Sequence, residues 1–390
     1  MAIERGEMQK VASSYDAKNV TIGVLGSHTA EETGVAAKAL GFKVAVVCQK
    51  GRDELYTKYS GHLFDHKIVL DSFSDIMNDE VQDKLIGMNT IFIPNRSFSV
   101  YAGYGNIEDK FRVPLYGSRY MLRTEERHGK KNQYDLLGRA GIKIPKKFSR
   151  PEDIDRMSIV KVQQKERPLE RAFFYAKSSQ EYYENGDRLV KSGLIDEAAL
   201  GNAHIEEYVL GQKFNANFQS WAMKDHFGDM DFVGFDDRKQ SNLHGALGLP
   251  AKEQLELDVA ITNEEVGHYG LTMRESYKPL VYKAAERMLG ACVKEYPPGL
   301  FGMFALQGAL APDPDAGKAG KLSFYVFDLS PRVPGCPCVG PTSPEMRRLS
   351  LKYSGTLGRY GVDRIETAMD LPMMDIKEAA LQGRLDEVVT

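Results

Sequence analysis

The stretch Phe327-Asp328-Leu329-Ser330-Pro331-Arg332 puts a carboxylate, a hydroxyl and a guanidinium at every second position of an otherwise apolar run. Side chains alternate between the faces of a strand, so Asp328, Ser330 and Arg332 share one face. An aspartate oxygen suits Mg²⁺ bridging phosphates. An arginine beside it can stabilise charge developing on a transferring phosphoryl group. Upstream, the strand expected over 301–310 carries Gln307, a second oxygen donor. A turn over 313–320 joins the two strands.

Further upstream, Glu206-Glu207-Tyr208-Val209 closes a strand over 203–209. Backbone groups and a carboxylate there can hold an adenine and a ribose. Lys161 lies in a strand over 159–162, and Lys147 sits in the strand system that starts at 144. Both can point at phosphates. Each residue has a structural reading when taken alone. Lys161 can be an edge-strand lysine, Glu206-Glu207 a solvated strand end, and Asp328 a turn-forming aspartate. The order of two lysines, an acidic hinge, two oxygen donors and an arginine is what favours the chemical reading. The expected strands 214–222 and 231–236, the helix 280–295 and the mainly helical segment 344–390 complete this part.

The first third alternates strand and helix: strands over 20–25, 43–48, 65–70 and 90–94, with helices over 30–40 and 74–85. Such order implies a mostly parallel sheet covered on both faces. Ligands of such sheets sit at the carboxyl ends of the strands. That places Ser27, His28, Asn95, Arg96 and Ser97 at a rim. Ser27-His28 is not read as a hydrolytic pair. Adjacent turn residues hydrogen-bond poorly as nucleophile and base, and no G-x-S-x-G elbow is present. A helical connection runs from 115 to 144.

The 390 residues allow two or three domains' worth of core. A formal net charge of −3 argues against a broad nucleic-acid-binding face. No apolar run reaches membrane-spanning length. Residues 1–19 are polar and lack the apolar core of a signal peptide, which points to the cytoplasm. Of four cysteines, Cys48 and Cys292 read as small buried hydrophobes. Cys336-Pro337-Cys338 is either a loop or a redox or metal pair, with no second cysteine pair to complete a zinc site.

Several stretches together resemble the archaeal-type FAICAR synthetase family, the formate-dependent AICAR ligases of purine biosynthesis. They are Gly26-Ser27-His28, Val47 to Arg52, Ile93 to Phe98, Tyr116 to Arg119, Ala203 to Val209, Gln240-Ser241-Asn242, Met273 to Ser276, Pro297-Pro298-Gly299 and Phe327 to Arg332. The resemblance implies an ATP-grasp fold of mixed α/β and α+β class, with an N-terminal parallel-sheet domain over 20–122 after the extension 1–19. A small lobe over 123–205 would carry a lid loop at 163–171, and a large lobe would span 206–390. It implies that Ser27, His28, Ser97, Asn242 and Arg274 bind AICAR or formate. Lys147, Lys161, Glu206, Glu207 and Val209 would bind ATP, and Gln307 and Asp328 would bind Mg²⁺ or Mn²⁺. Arg332, with Arg274, would act in catalysis. Self-association is also implied, with no nucleic-acid or membrane partner. The alternatives are a paralogous ligase with another carboxylate or amine, and a non-catalytic nucleotide-binding protein.

The chain departs from the family pattern around ATP and the metal. The lid Gln163-Gln164-Lys165-Glu166-Arg167-Pro168-Leu169-Glu170-Arg171 contains no glycine, and Pro168 removes a backbone donor. Asp328 replaces a glutamate, Gln240 replaces an acidic residue, and the segment 333–338 replaces a glycine-rich continuation.

Overall fold

Strands Thr21–Leu25 (β1), Lys43–Gln49 (β2), His66–Leu70 (β3) and Thr90–Ile93 (β4) pair in parallel in the order β3-β2-β1-β4. β1 and β4 are buried along their whole length, as strands covered on both faces must be. The chain winds outward from β1 to β3 and then returns to β4 on the other side of β1. The loops after β1 and β4 therefore flank a topological switch point, where open sheets bind ligands. The computed structural model describes residues 2–126, 131–163, 171–223, 228–257, 265–317, 320–335, 340 and 342–390. The expected helix over 74–85 is two pieces, a 3-10 turn Phe73–Met77 and a helix Asp79–Gly87. A capping box between Ser72 and Asp75 closes the first piece, and Asn78 is extended between them.

The second sheet comprises Lys147–Phe148 (β5), Ser158–Gln163 (β6), Arg171–Ala176 (β7) and His204–Glu207 (β8), in the order β5-β8-β6-β7 with antiparallel pairs. The helix Ser179–Lys191 covers it, with Tyr182 in a core that includes Phe148, Val160, Phe174 and Ile205.

The third sheet is antiparallel. It comprises Gln212–Ser220 (β9), Met230–Gln240 (β10), Glu265–Leu271 (β11), Gly302–Pro312 (β12) and Leu322–Ser330 (β13), in the order β11-β10-β9-β12-β13. Its two faces differ because alternate residues differ. Phe214, Phe218, Phe235, Phe304 and Leu306 form one core with Val281, Ala285 and Met288 of the helix Lys278–Glu295. The opposite face is polar. Gly270, Asp236, Asn215, Gln307 and Asp328 stand in register across all five strands.

Leu371, Met374 and Ile376 of the helix Asp370–Gln382 lie in one core with Ile22, Val24 and Val46 of the first sheet. Residues 385–390 follow, and Leu115 and Thr390 exchange backbone hydrogen bonds of 3.0 and 2.9 Å. Cys48 and Cys292 are buried, as expected. Among the described residues no helix is long and apolar enough to cross a membrane.

Arg119 fixes this closure. Its guanidinium is buried, and it donates to the carbonyls of Ile107 at 2.6 Å, Phe111 at 2.7 Å, Val113 at 3.2 Å and Thr390 at 3.0 Å. Burial lowers its pKa to about 10, which leaves it charged at neutral pH. Methionine here keeps the bulk but removes the Arg119 donor from the carbonyls of Ile107, Phe111 and Val113, each loss worth about 1–3 kcal/mol, while the Thr390 carbonyl keeps its bond from Leu115 N. With partial relaxation we expect Arg119→Met to cost about 3–5 kcal/mol. Urea unfolding followed by tryptophan fluorescence and circular dichroism checks this, and an unchanged midpoint would contradict it.

Candidate functional site

The loops after β1 and β4 are tied together by one side chain. Asn95 Nδ2 donates to the carbonyls of Leu25, Ser27 and His28 at 3.0, 3.1 and 3.0 Å, while its Oδ1 accepts from Phe98 N at 2.9 Å. Ser97 Oγ donates to Ser27 Oγ at 2.9 Å. The β1 loop is strained, with φ of +23° at His28 and +66° at Thr29, neither of them glycine. Such strain persists where surrounding contacts over-determine it and is concentrated at functional sites. The His28 imidazole is pushed down to about 4, chiefly by burial and then by Arg332, with Glu265 opposing. It is therefore neutral at pH 7 and offers hydrogen bonds rather than charge.

The polar face of the third sheet is built around Asp236, whose carboxylate has no solvent exposure. Asn215 Nδ2 donates to it at 2.8 Å, Asn217 Nδ2 at 2.5 Å and His268 Nδ1 at 2.5 Å. His268 stands opposite Arg238 in the β10–β11 register, so Asp236 is its diagonal neighbour on the same face. Its other nitrogen, Nε2, lies 2.8 Å from Glu265 Oε1. The two carboxylates outweigh burial and raise His268 to about 9, so it is an imidazolium at neutral pH. His268 and Arg238 together hold Glu265 at about 2 against its own burial. Arg238 Nε lies 3.2 Å from Glu265 Oε2, and its NH2 donates to Gln307 Oε1. Gln307 Nε2 donates in turn to Ser330 Oγ at 3.0 Å.

The rim and this face meet through Glu265. His28 Nε2 is 3.9 Å from Glu265 Oε1. A continuous polar path therefore runs from His28 through Glu265 and Arg238 to Gln307. Gln307 and Asp328 are cross-strand partners in the β12–β13 register, about 5 Å apart at Cβ. Among the described residues no group of three His, Cys, Asp or Glu is arranged to hold a metal.

Arg332 lies apart from a simple phosphoryl clamp. It makes a two-pronged ion pair with Glu125, at 2.6 and 3.3 Å, and both side chains are 7% exposed. Arg96 NH1 joins at 3.4 Å from Glu125. In the second sheet Lys161 is ion-paired with Glu206. Glu207 points the other way. It accepts from Lys146 N at 3.1 Å and pairs with Arg156 at 3.5 Å. Arg156 also reaches Asp315 at 3.4 Å, joining the second sheet to the β12–β13 turn. Val209 packs with Ala309, Ala311 and Tyr325. Lys147 Nζ sits 3.7 Å above the Tyr134 ring. Asn242 follows β10, whereas Arg274 follows β11 at the opposite end of that strand pair. Five residue steps, about 17 Å, separate the two ends, so the pair is not brought to one point. Residues 164–170 of the expected lid, and Cys336 and Cys338, lie outside the described residues.

The residues not singled out from sequence are Glu125, Asp236, Arg238, Glu265 and His268. Four of them belong to β10 and β11. A signal existed in Asp236-x-Arg238 and Glu265-x-x-His268, polar pairs that reach one sheet face once the edge strand is recognised.

Comparison with known proteins gives two family matches. "Protein of unknown function (DUF1246)" matches residues 22–148, and "Domain of unknown function (DUF1297)" matches residues 181–390. The chain is 35% identical to the 5-formaminoimidazole-4-carboxamide-1-(beta)-D-ribofuranosyl 5'-monophosphate synthetase of Methanothermobacter thermautotrophicus, over 100% of this chain and 99% of that one. To the protein of the same name from Methanocaldococcus jannaschii it is 34% identical, over 96% and 99%. Among solved structures it resembles an IMP biosynthesis protein PurP from Thermococcus kodakaraensis, with TM-score 0.64, 20% identity, and coverage of 95% and 100%. An ADP complex of purK, N5-carboxyaminoimidazole ribonucleotide synthetase, aligns with TM-score 0.52 at 10% identity, over 94% and 98%. At these identities the structural likeness is one of fold, and that fold is ATP-grasp.

The charges around His268 set a pH window. Its folded-state pKa is raised, so its contribution to stability is complete below 6.5 and fades as pH rises through about 9. Glu265 is depressed, so its contribution is complete above 4.5 and fades as pH falls through about 2. Both are complete between pH 4.5 and 6.5. We expect His268→Gln to lose more stability relative to wild type at pH 6 than at pH 10. Urea midpoints for both proteins at the two pH values measure it, and a pH-independent difference would refute the assignment.

Proposed function

This chain belongs to the family of 5-formaminoimidazole-4-carboxamide ribonucleotide synthetases, and on that footing we propose that it joins formate to the 5-amino group of AICAR at the expense of ATP, a ligase reaction of purine biosynthesis. The structural observation that carries this reading is the polar path from the nucleotide rim to the donor pair, His28 to Glu265 to Arg238 to Gln307. That continuity supports a reading in which the nucleotide at the rim and the phosphates at the polar face are handled by one connected set of side chains. Formate oxygen attacks the γ-phosphorus, the bond to the bridging oxygen breaks, and ADP leaves as formyl phosphate forms. The AICAR amine then attacks the formyl carbon, and phosphate leaves. No covalent bond to the protein is needed, so catalysis rests on positioning and charge stabilisation.

Ser27 and Ser97 supply hydroxyls for the nucleotide, and the Asn95 bonds keep their loops in place before it arrives. Lys161, oriented by Glu206, faces the ATP phosphates, and Glu206 and Val209 flank the adenosine. Gln307 and Asp328 suit Mg²⁺ or Mn²⁺. Both present oxygen, the donor that hard divalent cations take, and they occupy one register step. A cation held there would offset the charge of the ATP phosphates. Arg332, held by Glu125, works as a fixed positive group at the junction of the two sites. Asn242 and Arg274 lie at the two ends of the β10–β11 pair, which assigns them to different parts of the substrates. We place the reaction in the cytoplasm.

The test is direct. ADP, phosphate and FAICAR should form in equal amounts, and only when ATP, formate, AICAR and Mg²⁺ are all present. Asp328→Asn should lower turnover by at least about 100-fold while AICAR binding by calorimetry stays within about threefold. Turnover with a different carboxylate in place of formate would favour a paralogous ligase. AICAR binding without turnover in the wild type would favour a binding protein.

A further inference from the structure

The reaction above needs a group to take the proton from the amine as it becomes an amide nitrogen. We infer that His28 Nδ1 receives this proton, and that Glu265 is the positioning residue that directs His28 to the task. The inference rests on the proposed function and adds an acid–base assignment to it.

Three observations carry it. First, His28 Nδ1 is buried and has no hydrogen-bond partner among the described residues. A neutral imidazole bears its hydrogen on one nitrogen and a lone pair on the other. Second, the group beside Nε2 is a carboxylate, Glu265, at 3.9 Å. That distance is too long for a hydrogen bond, but the negative charge favours the tautomer with hydrogen on Nε2, which leaves the lone pair on Nδ1. Third, Glu265 is itself fixed, at 2.8 Å from His268 Nε2 and 3.2 Å from Arg238 Nε. His268 is anchored on the unexposed Asp236, and Gly335 leaves room for its ring where the Cβ of any larger residue would clash with Nε2. The rim side is equally fixed, because Asn95 holds the His28 carbonyl in the left-handed conformation.

The charged and titratable groups facing His28 are Arg332, Glu265, His268 and Glu125. Burial, then Arg332 and His268, keep the imidazole unprotonated at neutral pH against the opposing pull of Glu265 and Glu125, so Nδ1 starts with its lone pair free to accept. The step balances as follows. The amine lone pair forms the N–C bond to the formyl carbon. The C–O bond to phosphate breaks, and phosphate leaves with the pair. One N–H proton passes to Nδ1, and the resulting imidazolium is stabilised by Glu265 before the proton returns to solvent.

The assignment separates the two half-reactions, and so does its test. ADP and FAICAR are measured together under saturating ATP, formate, AICAR and Mg²⁺ for wild type, Glu265→Gln and His268→Gln. We expect Glu265→Gln to lower kcat for FAICAR by about 10- to 100-fold, with KM for AICAR within about threefold. Formate-dependent ADP release should fall far less, because stranded formyl phosphate hydrolyses. His268→Gln keeps the carboxylate but frees it, so the same uncoupling should appear more weakly. It also serves if Glu265→Gln fails to fold. Equal loss of ADP and FAICAR in both variants, or FAICAR formation at the wild-type rate, would overturn the inference. A wild type that makes no FAICAR at all removes the proposed function, and this assignment with it.

Discussion

A carboxylate shut away from water, Asp236, organises the candidate site. Leaving such a charge without partners costs several kcal/mol, and removing one partner of a buried pair typically costs about 3–5 kcal/mol. The sheet meets this demand with two asparagine amides from β9 and one imidazole from β11. Each of those groups is then committed. Asn215 and Asn217 cannot turn to other work, and His268 must remain a cation to satisfy two acids at once. The charge on His268 fixes Glu265, and Glu265 faces His28 across the gap between the third sheet and the first. A polar relay thus links the rim to the polar face, alongside the apolar core that Val24 and Ile93 of the first sheet share with Val233 and Met303 of the third.

The fold serves this arrangement by sorting residues at intervals of two. Along β9, Phe214, Ala216 and Phe218 go to the helix side, while Asn215 and Asn217 go to the other. In β10 and β12 the same division yields an apolar underside and a polar row, interrupted by register shifts at Phe232/Gly234, Lys239/Gln240 and Gln307/Gly308. On the first sheet the logic is different. β1 and β4 are buried throughout, so their chemistry is confined to the loops at their ends.

Much of this was legible in the sequence. The four parallel strands announce themselves as apolar runs, and Gln307 and Asp328 proved to be cross-strand partners, as their places on neighbouring strands suggested. β11 was not legible. Its sequence, Glu-Val-Gly-His-Tyr-Gly-Leu, holds two glycines and no apolar alternation, and edge strands need neither. Glu125 was unremarkable for another reason. Its importance comes from a partner 207 positions later, and no local pattern encodes such a pairing. The helix expected over 74–85 is interrupted at Asn78, whose extended backbone ends the first piece and begins the second.

The register-matched row of Asp236, Asn215, Gln307 and Asp328 has a consequence for how this sequence varies. Neighbours in such a row share hydrogen bonds and charge, so their substitutions do not combine additively. Gln307 is neutral where a carboxylate would add a charge, and it sits within reach of the Arg238 guanidinium. A change at either position alters what the other can tolerate. The effect of a substitution at one member of the row therefore depends on which residue stands at the next.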